Sequence, residues 1–312
     1  MTTRYLVNDL MTCIPGTRTF WHDLVDWFGL NFVGGAYEKL AVEASRQIPK
    51  DATLVIRNAT YFGPLETDAP TISLVQDITG SEEQKGVIQS SSAAVFNSEY
   101  TKSKFDISEQ LLKEGRLPVI PLPIDFNHFE PGNYMGLQQK LGLPDGCVCW
   151  VGASQGAAGD VKGWPTFLQI VRMNPDIGFV AVLKDAMPDA MPPNLRCYER
   201  LAHDALVDVM GACRVGLCTS VTETQHLAGI EMGACGLPMV APPIGCYYGR
   251  DSDLPGWPLM DKEITADRYA EAIRDCLSSL PDPAYVHDYW RAEFDQEIIR
   301  KQWAALIEEV ER

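Results

Sequence analysis

The sequence predicts an α/β protein built as two parallel-sheet domains, and three observations carry that expectation. Short apolar strand-like runs alternate with helix-like segments along the chain. A Gly/Pro-rich break over residues 128–145 interrupts the alternation once, and the same pattern restarts beyond it. The length, 312 residues, exceeds one ordinary core and suits two α/β domains. Two such halves would hold a ligand in the cleft at the carboxyl ends of their strands.

Residues 5–7 read as the first strand, and Phe20, Leu24, Trp27 and Phe28 then recur at helical spacing. Residues 53–57, 71–75, 93–96 and 118–122 read as the next four strands. The break contains Pro131, Gly132, Gly136, Gly142 and Pro144, the composition of a linker. Beyond it, residues 147–151 read as a strand, 164–173 as a helix and 177–183 as a strand. The stretch 195–197 is strand-like, and 214–218 and 238–242 continue the alternation. Residues 288–312 read as one long amphipathic helix, with Trp290, Phe294, Ile299, Trp303 and Ile307 on its apolar stripe. So long a stripe needs a large surface to cover. The expected domains are therefore 1–130 and 131–287, with a terminal helix, 288–312, packing back towards the first.

The formal net charge of −16 repels nucleic-acid phosphate and anionic headgroups, so no general nucleic-acid or membrane-surface binder is expected. The nine cysteines are scattered. Only Cys147 and Cys149 lie close together, and no second Cys or His pair completes a four-ligand set, so free thiols in a reducing compartment are expected. Residues 1–10 carry Arg4 and then Asn8 and Asp9 inside the would-be apolar run, which does not read as a secretory signal. No stretch approaches the ~20 apolar residues of a spanning helix. A cytoplasmic location follows as an expectation.

The strongest local signal begins at Glu223, reaches Glu231 eight positions later, and continues through Gly233, Gly236 and Pro238. It follows an apolar strand, so it reads as strand, loop, helix, glycine cap and next strand, with Glu223 at the helix N-terminus. The free backbone N–H groups at 224–227 would suit an anion, and the two carboxylates would suit sugar hydroxyls. Two exposed glutamates on an amphipathic helix fit the spacing equally well. The second signal is the small-residue loop Gly152-Ala153-Ser154, with Lys162-Gly163 opening a helix after it. Small residues admit close backbone approach, and a lysine there can neutralise phosphate. The spacing is not that of a P-loop.

Taken in order, these pieces resemble the retaining GT-B glycosyltransferases, in particular the family-4-like group with its Glu, seven residues, Glu motif. The resemblance rests on Asn97-Ser-Glu-Tyr100-Thr, the crossover from Ile120 to Pro131, Gly152 to Lys162-Gly163, Glu223 to Glu231, Gly233 to Pro238, and the terminal helix. It implies two Rossmann-like domains facing each other across a cleft, with the C-terminal helix crossing back. It also implies transfer of a hexose-type sugar from a UDP- or GDP-linked donor to a hydroxyl acceptor, without metal or other cofactor. By the same resemblance Glu231 would hold the donor ribose, Glu223 the transferred sugar and Lys162 the leaving diphosphate. Gly152, Ala153, Thr224, Gln225, His226 and Leu227 would line the donor, with Tyr198 and Glu199 at the base. Gln76 would join Lys162 and Glu223 at the reacting centre. Gly16, Thr17, Arg18 and Asp77 would lie on the acceptor side.

The departures from the family are informative. Ala153 stands where the family has Arg, so one cation is lost from the leaving-group site. His226 either replaces that positive group or is structural. Gln76 stands where the family has His, and an amide can bond a sugar but cannot transfer a proton. Asp251-Ser-Asp253, an Asp-x-Asp of the kind that can hold a metal, sits in a Gly/Pro-rich loop away from the pattern, and no Asp-x-Asp ends a strand-like run. Two functions fit: an active transferase, or a catalytically weakened sugar-nucleotide-binding or partner subunit.

Overall fold

The computed structural model of the protein describes residues 3–7, 20–33, 47–59, 65–107, 116–250, 254–259 and 264–312. Packing divides the chain into two units, residues 1–123 with 297–312, and residues 124–296.

The first unit carries β1 (Arg4–Val7), α1 (Phe20–Phe28), β2 (Asn31–Val33), β3 (Leu54–Asn58), β4 (Thr71–Val75), α2 (Glu82–Ser90), β5 (Ala93–Phe96) and α3 (Glu99–Lys102). Its sheet runs β2-β1-β3-β4-β5, with every pairing parallel. Residues 118–122, expected as a strand, form only a single bridge between Val119 and Phe96. Pro118, Pro121 and Pro123 remove the N–H donors that a full ladder needs. The three-residue β2 is too short to show a period in the sequence.

The second unit carries α4 (Tyr134–Leu141), β6 (Val148–Gly152), α5 (Gly156–Lys162), α6 (Trp164–Met173), β7 (Phe179–Leu183), β8 (Leu195–Glu199) and α7 (His203–Gly211). It continues with β9 (Val215–Leu217), α8 (Leu227–Ala234), β10 (Met239–Ala241), β11 (Gly256–Pro258), α9 (Ala266–Ser278) and α10 (Pro283–Phe294). The parallel sheet runs β11-β10-β9-β6-β7-β8. Ile124 donates its N–H to the Phe294 carbonyl at 2.9 Å. Phe126 packs edge-on against His287 and Phe129 against His203. These contacts assign residues 124–130 to the second unit.

The tail is two helices rather than one. Asp295 takes extended backbone after α10, its carboxylate accepts from Arg291, and α11 (Gln296–Val310) begins afresh. α10 stays with the second unit, where Trp290 lies so close to α8 that a Cβ at Gly233 would overlap its ring. α11 returns to the first unit, placing Ile299, Trp303 and Ile307 in one core cluster with Leu6, Ile56 and Val95. The apolar stripe was legible, but nothing in its period marked the break at Asp295.

Candidate functional site

The charged residues singled out in the second unit gather where parallel α/β sheets bind ligands, at the carboxyl ends of the strands. The loop after β9 is tied to the end of α5. Val221 N–H donates to the Val161 carbonyl at 2.9 Å, and Thr219 Oγ1 donates to the Lys162 carbonyl at 3.0 Å while accepting from Trp150 Nε1 at 2.9 Å. Gly163 sits at φ +71°, and a Cβ there would overlap the Thr219 carbonyl, so only glycine lets the two segments meet. Lys162 is consequently the last residue of α5, not the first of the next helix.

That junction sets Lys162 Nζ 2.5 Å from Glu223 Oε1, with Ser220 Oγ donating to the same oxygen at 2.7 Å. Glu223 does not start the helix. α8 begins at Leu227, and Glu223 lies in the preceding loop, because His226 takes a left-handed conformation, φ +67°, that a continuous helix excludes. Burial disfavours the Glu223 carboxylate, but the groups around it outweigh burial and hold its pKa below the usual value. Burial lowers the pKa of His226 to about 4, so at neutral pH the favourable charge on Glu223 comes from Lys162, not the imidazole. His226 is therefore no substitute cation. Its Nδ1 is paired with the Tyr247 hydroxyl at 2.7 Å.

Glu231 lies on the second turn of α8. Burial raises its pKa to about 7, opposed by the field of Lys184. Lys184 follows β7 directly and is exposed, a second cation at this edge that the sequence reading missed. Its only sequence signal was its place one residue past an apolar strand. Asp185, next to it, accepts the backbone N–H groups of Ser154 (2.8 Å) and Gln155 (2.8 Å) and the Ser154 hydroxyl (3.0 Å). Burial opposes its ionisation, yet these donors hold its pKa below the usual value. A carboxylate of the chain itself thus occupies the N–H groups that follow Gly152 and the buried Ala153.

Thr224 and Gln225 precede His226 in the same loop, and Leu227 follows it as the first residue of α8. Cys246 N–H donates to the Gln225 carbonyl at 3.0 Å, fastening this loop to the segment after β10. Tyr198 and Glu199 end the edge strand β8, paired with Val182 and Leu183 of β7, and Glu199 accepts from the Met187 N–H. Gln76 and Asp77 follow β4 in the first unit, where the Asp77 carbonyl accepts from Gln84 Nε2. Gly16, Thr17, Arg18, and the Asp-x-Asp at 251–253, lie outside the described residues. Among the described residues no three His, Cys, Asp or Glu side chains gather to hold a metal ion, and all eight described cysteines are free thiols. No described helix is long and apolar enough to cross a membrane.

No protein-family model matches the chain, and no curated sequence does. Solved structures do. HepE from Anabaena, in complex with UDP and glucose, is 13% identical over 99% of this chain and 100% of its own, with a TM-score of 0.72. A glycosyltransferase from Rickettsia africae is 13% identical over 99% of this chain and 90% of its own, TM-score 0.71. Sucrose-phosphate synthase from Thermosynechococcus elongatus is 17% identical over 86% of this chain and 76% of its own, TM-score 0.66. The fold is GT-B. At such identities the likeness carries the architecture alone, and function rests on the side chains at the strand ends.

Proposed function

We propose that the chain is a retaining glycosyltransferase of the family-4-like group, moving a hexose-type sugar from a nucleoside-diphosphate sugar to a hydroxyl acceptor without a metal. The observation that carries this reading is the pair of Lys162 with Glu223 in the loop that leads into α8, the helix that carries Glu231. Lys162 takes the diphosphate, with the N–H groups that open α8 beside it, since no side chain caps that end. Glu231 accepts the two ribose hydroxyls and Glu223 bonds the sugar. Gly152, Ala153, Thr224, Gln225, His226 and Leu227 line the donor, and Tyr198 and Glu199 edge the base. UDP is the favoured nucleotide, because the HepE structures carry UDP and UDP-glucose.

In this mechanism the leaving diphosphate receives the acceptor proton, so a positioned, charge-stabilised phosphate matters more than an enzymic base. Gln76 is then a positioning group, and Asp77, Gly16, Thr17 and Arg18 are the acceptor-side residues. The second reading, a weakened sugar-nucleotide-binding subunit, is favoured by two observations: Asp185 already fills the N–H groups after Ala153, and Lys162 is paired. Release of UDP from UDP-glucose, with and without chelator, decides among these. Turnover that survives chelator supports the metal-free transferase. Binding without turnover of any UDP- or GDP-sugar supports the subunit, and loss of binding with chelator sinks the metal-free site.

A further inference from the structure

The amino ends of the second unit's strands, opposite the end that carries Lys162 and Glu223, hold a cation that no carboxylate claims. Arg214 precedes β9 directly, and its guanidinium carbon lies 3.7 Å from the centre of the Tyr134 ring. Among the described residues the guanidinium finds no hydrogen-bond or ion-pair partner beyond that ring. Its five N–H donors, set in a fixed fork, are left open.

The same tyrosine carries an anion. Tyr134 donates its hydroxyl to Asp145 Oδ1 at 2.7 Å, and the Gly146 N–H donates to that oxygen at 3.0 Å, while Oδ2 takes no hydrogen bond from a described residue. The Tyr134 bond holds the Asp145 pKa below the usual value, so the carboxylate is charged at neutral pH. One phenol ring thus spaces a cation from an anion, each with bonding positions to spare. The other acid here, Asp176, is closed by Arg274, which binds its two oxygens at 2.8 and 2.9 Å. Arg214 and Asp145 both line a cavity of about 290 Å³ whose apolar wall is Ile177, Leu277 and Leu280. A narrower cleft of about 40 Å³ shares Arg214 and Leu280 with it and is walled by Leu237, Pro238 and Pro283.

The geometry points to a binding site, at the amino ends of β6, β7 and β9, for a free α-amino acid with a small apolar side chain. The ligand carboxylate accepts two parallel N–H bonds from Arg214, its ammonium donates to Asp145 Oδ2, and its side chain enters the proline-walled cleft. A simple anion such as phosphate gains Arg214 but meets the charge of Asp145 and the carbonyl ends of α6 and α9. A simple cation gains Asp145 but meets Arg214. A ligand that bears both charges on one carbon satisfies both residues at once. The site owes nothing to the donor chemistry at the other end of the sheet and stands without it.

The test titrates L-valine into wild type by calorimetry, beside isobutylamine, which lacks the carboxylate, isovalerate, which lacks the ammonium, and inorganic phosphate. L-aspartate probes the cleft, and UDP is a parallel ligand. Valine should bind wild type, and both analogues and phosphate should bind about tenfold more weakly or worse, since each forfeits a charge-assisted bond. Aspartate should bind more weakly too, because the cleft offers its second carboxylate no partner. Arg214→Gln and Asp145→Asn should each lose about tenfold or more in valine affinity while UDP affinity stays unchanged. The site is overturned by a one-charge analogue, phosphate or aspartate binding as well as valine, by undiminished valine binding in the folded variants, or by no valine binding to wild type. The analogue series uses wild type alone, so it decides even where a substitution unfolds the protein. A wild type that binds valine but no nucleotide keeps this site and removes the donor reading.

Discussion

Lys162 Nζ and Glu223 Oε1 lie 2.5 Å apart, so in the free protein the motif's first carboxylate neutralises the lysine proposed for the diphosphate. A diphosphate has to compete with Glu223 for that charge. Glu223→Gln should therefore tighten binding of UDP, by about fivefold, since a partly exposed pair is worth about 1 kcal/mol. The gain should shrink at 0.5 M salt. Calorimetric titration with UDP reads both effects, and weaker binding in the variant would show that Glu223 helps to hold the nucleotide.

Glu231 gives a pH prediction with opposite signs for stability and binding. Its pKa rises from the ordinary 4.5 to about 7 on folding, through burial. Between those values the folded protein holds a proton that the unfolded chain has lost, so stability falls as pH rises through this window. Above about pH 7 the penalty is complete, up to about 3 kcal/mol. Glu231→Gln should raise Tm at pH 8 and change it little at pH 4. Ribose binding needs the ionised form, so wild-type affinity for UDP should fall below about pH 7, and the variant should bind weakly at every pH. A Tm gain equal at pH 4 and pH 8 would assign the effect to packing.

The two parallel sheets, α1, α6 and the order of charged residues were legible because period and strand spacing are local properties of the chain. Glu223 and Glu231 looked like one helix face because spacing alone cannot show that His226 turns left-handed between them. The Lys162–Glu223 pair joins residues 61 positions apart through the contact of Gly163 with Thr219, which no window of sequence contains. Asp185 and Lys184 escaped for the same reason: they matter only because β7 lies beside β6.

His226 holds φ +67°, a conformation that disfavours side chains, while its Nδ1 pairs with the Tyr247 hydroxyl. A Cβ at Gly229 would overlap that hydroxyl, so the three residues fit as one unit. Tyr247→Phe should leave a buried imidazole nitrogen unpaired, lowering stability by about 1–3 kcal/mol and loosening the turn into α8. UDP affinity should fall with it. His226→Gly in the Tyr247→Phe background should restore much of both, because glycine adopts the turn without a side chain to satisfy. Hydrogen exchange of the amides at 225–228 follows the turn directly. Unchanged exchange in Tyr247→Phe would remove the pair from any role in holding it.

Lys162 and Lys184 both face the strand ends, but only Lys162 is fixed in place, by the junction of α5 with the loop after β9. Catalysis responds to groups aimed at charge that develops as the glycosidic bond breaks, not to every cation nearby. Lys162→Ala should therefore cost on the order of 10²–10³ in turnover of the cognate donor. Lys184 is exposed and acts on Glu231 through its field, so Lys184→Ala should chiefly raise the Glu231 pKa and shift the pH midpoint of UDP binding upward. Gln76→Ala should cost less than Lys162→Ala, since an amide positions a ligand without moving a proton. The measurement is turnover with a saturating donor and the pH profile of UDP affinity for all three variants, each first shown to melt cooperatively. Near-normal turnover in Lys162→Ala with a dead Gln76→Ala would move the reacting centre to the first unit. A Lys184→Ala defect as deep as that of Lys162→Ala would mean that Lys184 supplies the cation lost at Ala153.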